Sequence, residues 1–188
     1  MQIPSPNRCL YLLKIMEMPA HIEAHSRMVC RVALVLTDGL IAAGFTLDRE
    51  LVRASAILHD ITKPRSFKTG EYHAQTGGEY LTDLGFFEVG EIIRQHVTLD
   101  DYSGNGAPNE AEIVNYADKR VLNDGIVSLD DRMQYIQDRY AKTVEHKHRI
   151  KILWEQTTLL EKRLFRHLAF TPENLAGQLE DLSRPPEA

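Results

Sequence analysis

Along almost the whole chain, apolar residues return every three or four positions, a period that suits helices with one buried face and does not suit alternating strands. From 20 to 43, Val29, Val32, Leu36 and Leu40 form one stripe that also carries His25. A second helix is expected over 48–61, opened by Thr46 or Asp48 and closed before Pro64, since the residue ahead of a proline resists helical geometry. Its LVRASAIL segment suggests burial on several sides. A third helix fits 73–84, where His73, Gly77, Leu81 and Leu84 share a face and Gly85 stands at the cap, and a fourth fits 86–97.

The stretch LDDYSGNGAPNE over 99–110 is rich in turn formers and reads as a loop beside whatever the helices build. Asn109 with Glu112 resembles a capping box and opens a helix expected to reach Asp124. Ser128 with Asp131 opens another, striped by Leu129, Met133, Ile136 and Tyr140. A last long helix is expected over 144–169, ending before Pro172, with Ile150, Leu153, Leu160 and Leu164 facing the core in preference to a dimer surface. The fold class is therefore all-α, with about six to eight helices. At 188 residues the chain suits one domain, against a prior of roughly 150 residues per domain. Within it, 20–125 forms the core, 126–170 the C-terminal helices and 171–188 a loose tail.

Composition narrows the partners. The chain is 43% hydrophobic and 26% charged with a net charge of −5, so no global basic field points to DNA. Cys9 and Cys30 make neither a disulfide framework nor a zinc-type spacing, which fits a reducing cytoplasm. Lys14 and Glu17 interrupt what would be the apolar region of a signal peptide, and Arg31 and Asp38 interrupt the most apolar long stretch, 28–45. A soluble, cytoplasmic protein without a membrane partner is expected.

The polar residues that fall on apolar stripes are of one kind. His25 lies with Val29 and Val32, and His59 and Asp60 close the second helix. His73 lies with Gly77 and Leu81, His96 with Val89 and Ile92, and Asp118 with Val114 and Val121. Any one of them reads most simply as a hydrogen-bonded core residue or a helix cap. Together, four histidines and two carboxylates must all find partners inside a core, at several kcal/mol for each failure. A metal centre solves that accounting at once. Imidazole with carboxylate suits iron, manganese, zinc, cobalt or nickel, and no thiolates of a structural zinc site are present.

His25, then His59-Asp60, then Asp118 resemble the H…HD…D signature of the HD superfamily of metal-dependent phosphohydrolases. The likeness covers roughly 20–125: AHSRMVCRVA is similar to the family's first-histidine helix, ASAILHDITK to its HD-x-x-K box, and NYADKRV to the helix that bears the final aspartate. His73 in HAQTGGEYL and His96 in IIRQHV resemble the extra histidines of the subgroup that binds two metals, which includes symmetrical dinucleoside tetraphosphate hydrolases and cyclic-dinucleotide phosphodiesterases. The resemblance implies an all-helical fold and a first divalent ion held by His25, His59, Asp60 and Asp118. Asp60 would bridge to a second ion held by His73 and His96, with iron or manganese favoured and zinc, cobalt, nickel or magnesium as alternatives. Two ions about 4 Å apart can bind a phosphoryl oxygen and activate a water for in-line attack.

Lys63 matches the lysine of the HD-x-x-K box and is expected to act beside Asp60 in catalysis and to contact a substrate phosphate as a point charge. Read alone, it is a lysine at a helix end. Arg65, Lys68, Lys119 and Arg120 are further phosphate-binding candidates that a solvated charged run explains equally well, and His21 is a rival to His25. His146, His148 and His167 are expected at the surface. The box reads HDIT without the glycine of HDIG, and no Gly-Tyr-Pro follows, which argues against cyclic dinucleotides. VTLDDYSGNG after His96 also departs from the tetraphosphate hydrolases. The expected activity is hydrolysis of a nucleotide or related small phosphate ester. A metal- and nucleotide-binding regulatory module, a one-metal nucleotide phosphatase and a homodimer stay open as alternatives.

Overall fold

In chain order the helices are α1 Pro6–Ile15, α2 Ala20–Ala42, α3 Arg49–Leu58, α4 Lys63–Thr69, α5 His73–Asp83, α6 Phe87–Arg94, α7 Glu110–Lys119, α8 Leu129–Tyr140, α9 Val144–Phe165 and α10 Leu175–Asp181. A two-stranded antiparallel ribbon, β1 Val121–Leu122 and β2 Gly125–Ile126, separates α7 from α8. These elements belong to a computed structural model, which describes residues 1–100, 102 and 104–181. The all-α expectation holds, with more and shorter helices than the sequence pattern indicated.

The core forms where α2 packs on α3 and α7, α3 packs on α6, and α5 and α6 pack as a hairpin. Val29, Val32, Leu36 and Leu40 of α2 are fully buried, as the stripe predicts. Each such side chain contributes about 1.5–3 kcal/mol by leaving water, enough for α2 to carry a polar residue inward as well. Asp48, rather than Thr46, caps α3 by accepting from the Glu50 and Leu51 amides. The Asn109–Glu112 capping box closes in both directions at the start of α7, and Ser128 caps α8 by accepting from the Asp131 amide. Gly85 follows α5 with φ of 86°.

The α5–α6 hairpin is held by near contact of backbones. A Cβ on Gly78 would meet the Gly90 carbonyl oxygen at 2.8 Å, and a Cβ on Gly90 would meet the Gly78 carbonyl oxygen at 2.6 Å. Only glycine at both positions lets the two helices cross so closely, and that crossing fixes where their paired ends, the start of α5 and the end of α6, come together.

Several expected boundaries move. The helix drawn to 61 stops at Leu58, and Pro64 does not end it but sits in the first turn of α4, where a missing amide hydrogen costs nothing. α6 stops at Arg94, α7 at Lys119 and α9 at Phe165. The segment drawn as helix to Asp124 becomes the ribbon, whose turn places Asn123 at φ of 55°, a left-handed conformation that asparagine tolerates. α1 lies outside the expected helices although Ser5 caps it and Pro6 opens it, the ordinary signals of a helix start. The tail expected to be loose folds over 172–181 as a short 3₁₀ turn and α10, which packs on α2 and buries Leu175 and Leu179. Positions 182–188 of that tail, and 101 and 103 of the expected loop, lie outside the described residues.

Candidate metal centre

Five elements deliver the six expected ligand residues to one place. His25 comes from the second turn of α2. α3 ends early, and the turn that follows it presents His59 and Asp60. His73 opens α5, His96 follows the end of α6, and Asp118 occupies the last turn of α7. His25 Nε2 lies 3.1 Å from Asp118 Oδ1, and His59 Nε2 lies 3.3 Å from Asp60 Oδ2 and 3.7 Å from Asp118 Oδ1. On the other side of the same carboxylate, Asp60 Oδ1 is 3.3 Å from His73 Nε2 and 3.6 Å from His96 Nε2.

The backbone sets the ring orientations. The Nδ1 atoms of His25, His59 and His96 lie 2.8, 2.8 and 2.7 Å from the carbonyl oxygens of Asn123, Ala56 and Ile93. A carbonyl only accepts, so each Nδ1 carries a hydrogen and donates it, which turns Nε2 inward as the atom that a metal could take. A ring held in this way by its far nitrogen is fixed in direction, as metal-binding histidines are. Two atoms at the centre, His59 Nε2 and Asp60 Oδ1, are buried with no hydrogen-bond partner among the described residues. His73 Nε2 and His96 Nε2 stand 3.2 Å apart, a contact that calls for a shared proton or cation.

Donor atoms of His25, His59 and Asp60 lie within 4.8 Å of one another, as do those of Asp60, His73 and His96. Either group could hold a metal ion, and Asp60 belongs to both. The donor set is imidazole and carboxylate throughout, and orphaned lone pairs inside a core fit a cation better than any internal partner.

Burial alone would push the Asp60 and Asp118 carboxyls up. Instead His59 and Lys63 hold Asp60 well below the usual carboxylate range, and Lys119, His25 and Arg132 do the same for Asp118. Burial lowers His96 to about 4, which keeps it neutral and ready to donate a lone pair. For His59, burial is outweighed by the neighbouring Asp60, so its affinity for a proton is raised and a metal must compete with that proton. Burial likewise opposes the charge of Lys63, but Asp60, whose Oδ2 lies 2.7 Å from its Nζ, more than compensates and raises it.

Other expected residues are placed differently. Lys119, offered as a phosphate-binding candidate, is buried: it donates to the His96 carbonyl oxygen and lies 3.4 Å from Asp118 Oδ2, and burial lowers its pKa. It ties α7 to the loop that bears His96. Arg65 pairs with Glu71 on an exposed face, Lys68 is exposed, and Arg120 is buried in a separate network. His21 is exposed, which removes it as a rival to His25, and His146 and His148 are exposed as expected. His167 is half-buried against the Phe45 ring. Two participants went unread in the sequence. Asn123 supplies the carbonyl for His25, and Arg132 of α8 brings Nη2 within 3.7 Å of Asp118 Oδ1. Neither carries a signal of its own, since a backbone acceptor has no residue type and an arginine on an amphipathic helix reads as solvated.

A cavity of about 540 Å³ lies away from this cluster, bordered by Leu51, Phe87, Ile92 and Tyr102. Among the described residues its lining includes Glu88, Glu91, Asp100, Glu110 and Glu112 and no lysine or arginine, so it is the wrong sign for phosphate. No described helix is long and apolar enough to cross a membrane.

Comparison with known proteins agrees with the geometry. A family model described as HD domain matches residues 22–122, which contain all six candidate ligand residues. The chain is similar to an uncharacterised protein of Methanocaldococcus jannaschii, 28% identical over 155 residues that cover 76% of this chain and 90% of the relative. It is also similar to a tRNA (cytidine(56)-2'-O)-methyltransferase of Picrophilus torridus, 28% identical over 163 residues that cover 80% of this chain but 45% of that enzyme. No solved structure matches the chain.

Proposed function

Because the chain belongs to the HD-domain family, we propose that it is a metal-dependent phosphohydrolase acting on a nucleotide or related small phosphate ester. The observation that carries this reading is the position of Asp60, whose two oxygens face two separate histidine groups within one buried cluster. His25, His59, Asp60 and Asp118 would hold one divalent ion, and Asp60, His73 and His96 a second, with iron or manganese favoured by the family resemblance and zinc, cobalt, nickel or magnesium as alternatives. When bound, such ions supply Lewis acidity toward a phosphoryl oxygen and a water acidic enough to attack near neutral pH.

The protein's own groups prepare the rest. The Nδ1–H···O=C bonds of His25, His59 and His96 lock the tautomers before any ligand arrives. Both aspartates are held ionised, and His96 is held neutral. Lys63 is the partly exposed cation at the Asp60 side, with 27% of its side chain accessible, and would meet an incoming phosphate as a point charge. His73, a quarter exposed, faces the other Asp60 oxygen, Oδ1.

Elemental analysis of protein purified without added metal, followed by release of product from nucleoside monophosphates, dinucleoside polyphosphates and generic phosphoesters, tests the reading. Because one relative is named for an enzyme acting on tRNA, ribonucleotide substrates belong in the panel. Two ions per chain with turnover that Asp60→Ala abolishes is the expected result. Tight nucleotide binding without turnover under any metal would favour a regulatory module instead.

A further inference from the structure

Arg132 lies outside the segment matched by the family model, on the first turn of α8, yet the β1–β2 ribbon folds that turn back over the end of α7. Its side chain is 13% accessible and its Nη2 stands 3.7 Å from Asp118 Oδ1. That separation is too long for a hydrogen bond. Asp118 is in any case occupied, with His25 at 3.1 Å from Oδ1 and Lys119 at 3.4 Å from Oδ2. Arg132 Nε is buried and has no hydrogen-bond partner among the described residues. The Arg132 guanidinium carbon lies 5.7 Å from the centre of the Tyr135 ring, a stacking contact that steadies the plane of the fork without using its N–H groups. The result is a largely buried arginine beside a candidate metal centre, 3.7 Å from Asp118 and with no hydrogen bond from its donors among the described residues.

Such an arrangement suits a ligand with two neighbouring acceptor oxygens better than a structural role, because the planar guanidinium fork matches two oxygens of a phosphate. Arg132 flanks the cluster on the Asp118 side, as Lys63 does on the Asp60 side, and the charges of the two are close enough to influence one another. Counting oxygens then selects the ligand. A fork contact uses two nonbridging oxygens of one phosphorus, and a third is needed to face the Asp60 cluster. A terminal phosphoryl group has three nonbridging oxygens and a phosphodiester has two.

We propose, resting on the phosphohydrolase reading above, that Arg132 is a specificity-determining residue that grips two oxygens of a terminal phosphate and so selects phosphomonoesters over phosphodiesters. The substrate class is a small molecule that ends in a dianionic phosphoryl group. Arg132 acts by direct contact with that group, beyond the electrostatic influence it has on Asp118.

The test uses the full-length, metal-loaded protein and the variants Arg132→Lys and Arg132→Gln. It measures kcat/KM on p-nitrophenyl phosphate and bis(p-nitrophenyl) phosphate, and affinity for inorganic phosphate by calorimetry. Both variants should keep the wild-type metal content and circular dichroism. Loss of charge-assisted hydrogen bonds should lower monoester kcat/KM and phosphate affinity on the order of 10- to 100-fold, with the diester little changed. Arg132→Lys should restore little, because an ammonium lacks the fork. Equal losses on monoester and diester, wild-type phosphate affinity in the variants, or no phosphate binding by the wild type would overturn the proposal. Loss of metal from Arg132→Lys would also overturn it, since the residue would then act through Asp118. If the wild type turns over neither ester, the hydrolase reading fails and the phosphate titration alone decides the role of Arg132.

Discussion

Two buried polar centres share α7, and they differ in what they leave over. Around Arg120 the network closes on itself: Nε donates to the Val127 carbonyl, Nη1 to the Tyr116 hydroxyl and Glu161, and Nη2 to the Pro172 carbonyl, while the Tyr116 hydroxyl donates to Glu161. That network ties α7, the ribbon, α9 and the C-terminal turn together. Two residues away along the helix, Asp118 faces a cluster in which His59 Nε2 and Asp60 Oδ1 are buried without partners among the described residues and two imidazole nitrogens face each other at 3.2 Å. Both centres are buried and charged, so burial alone does not distinguish structure from function. The unmatched acceptors do, because a network built only for stability has no reason to keep them.

The comparison is broken most directly at Asp60. Changing a residue that merely supports a metal ligand costs on the order of 10- to 100-fold in affinity or activity, so removing a ligand common to both groups should exceed that. Asp60→Ala is expected to abolish turnover and to lose both ions by elemental analysis, and added metal should no longer raise its melting temperature. The opposite experiment is Arg120→Ala. It should destabilise the fold by about 2–4 kcal/mol in denaturant unfolding, because it leaves the Glu161 carboxylate without its cation and the Val127 and Pro172 carbonyls without their donor, while metal content per folded chain stays at the wild-type value. If Arg120→Ala empties the metal centre with the fold intact, the two centres are one.

A sharper cut uses Gly90→Ala, whose Cβ would strike the Gly78 carbonyl oxygen and Thr82 Oγ1. Overpacking of this kind costs about 1–3 kcal/mol. Since α5 and α6 carry His73 and position His96, the variant should lose the ion of that group first, falling from two ions toward one. Retention of both would show that the ligand geometry does not depend on the helix crossing.

The smallest effect concerns acid. In metal-free protein, Asp60 and Asp118 titrate well below their ordinary range, so the unfolded chain binds their protons first and their stabilisation is lost as pH falls below about 4. Glu112 has the opposite sign, because burial raises its pKa despite Arg163, and protonation there favours the fold. Stability measured by denaturant between pH 5 and 3 should therefore decline less steeply in Asp118→Asn and more steeply in Glu112→Gln than in the wild type.

Much of this was legible in the sequence. Helix identity over α2, α3, α5, α6, α7, α8 and α9 followed from apolar spacing and caps, because those helices bury a stripe and the periodicity records it. α4 has seven residues with no buried side chain and no side-chain cap, so it left no stripe to read, whereas α1, as long as α3 and α7, was weighed only as a signal-peptide region. α10 was lost because a seven-residue helix holds too little pattern to outweigh the prolines and charges around it. The clustering of the candidate ligand residues was readable because histidine and aspartate on apolar stripes are conspicuous. Lys119 was misjudged for the converse reason: a lysine between Asp118 and Arg120 looks solvated, and its burial depends on the His96 carbonyl arriving from a distant segment. Arg132 was missed because only the ribbon's reversal brings α8 to the cluster.

The bonds that aim His59 and His96 repeat one local device at two helix ends, in which the ring reaches back three residues to a main-chain oxygen, Ala56 in one case and Ile93 in the other. A main-chain acceptor has no side chain to replace, so single substitutions at Ala56 or Ile93 leave the aim of the rings intact as long as α3 and α6 stop where they do. Evolutionary drift can reach these two ligands, short of replacing them, only by lengthening a helix, and lengthening α3 by one turn would swing Asp60 out of both groups together.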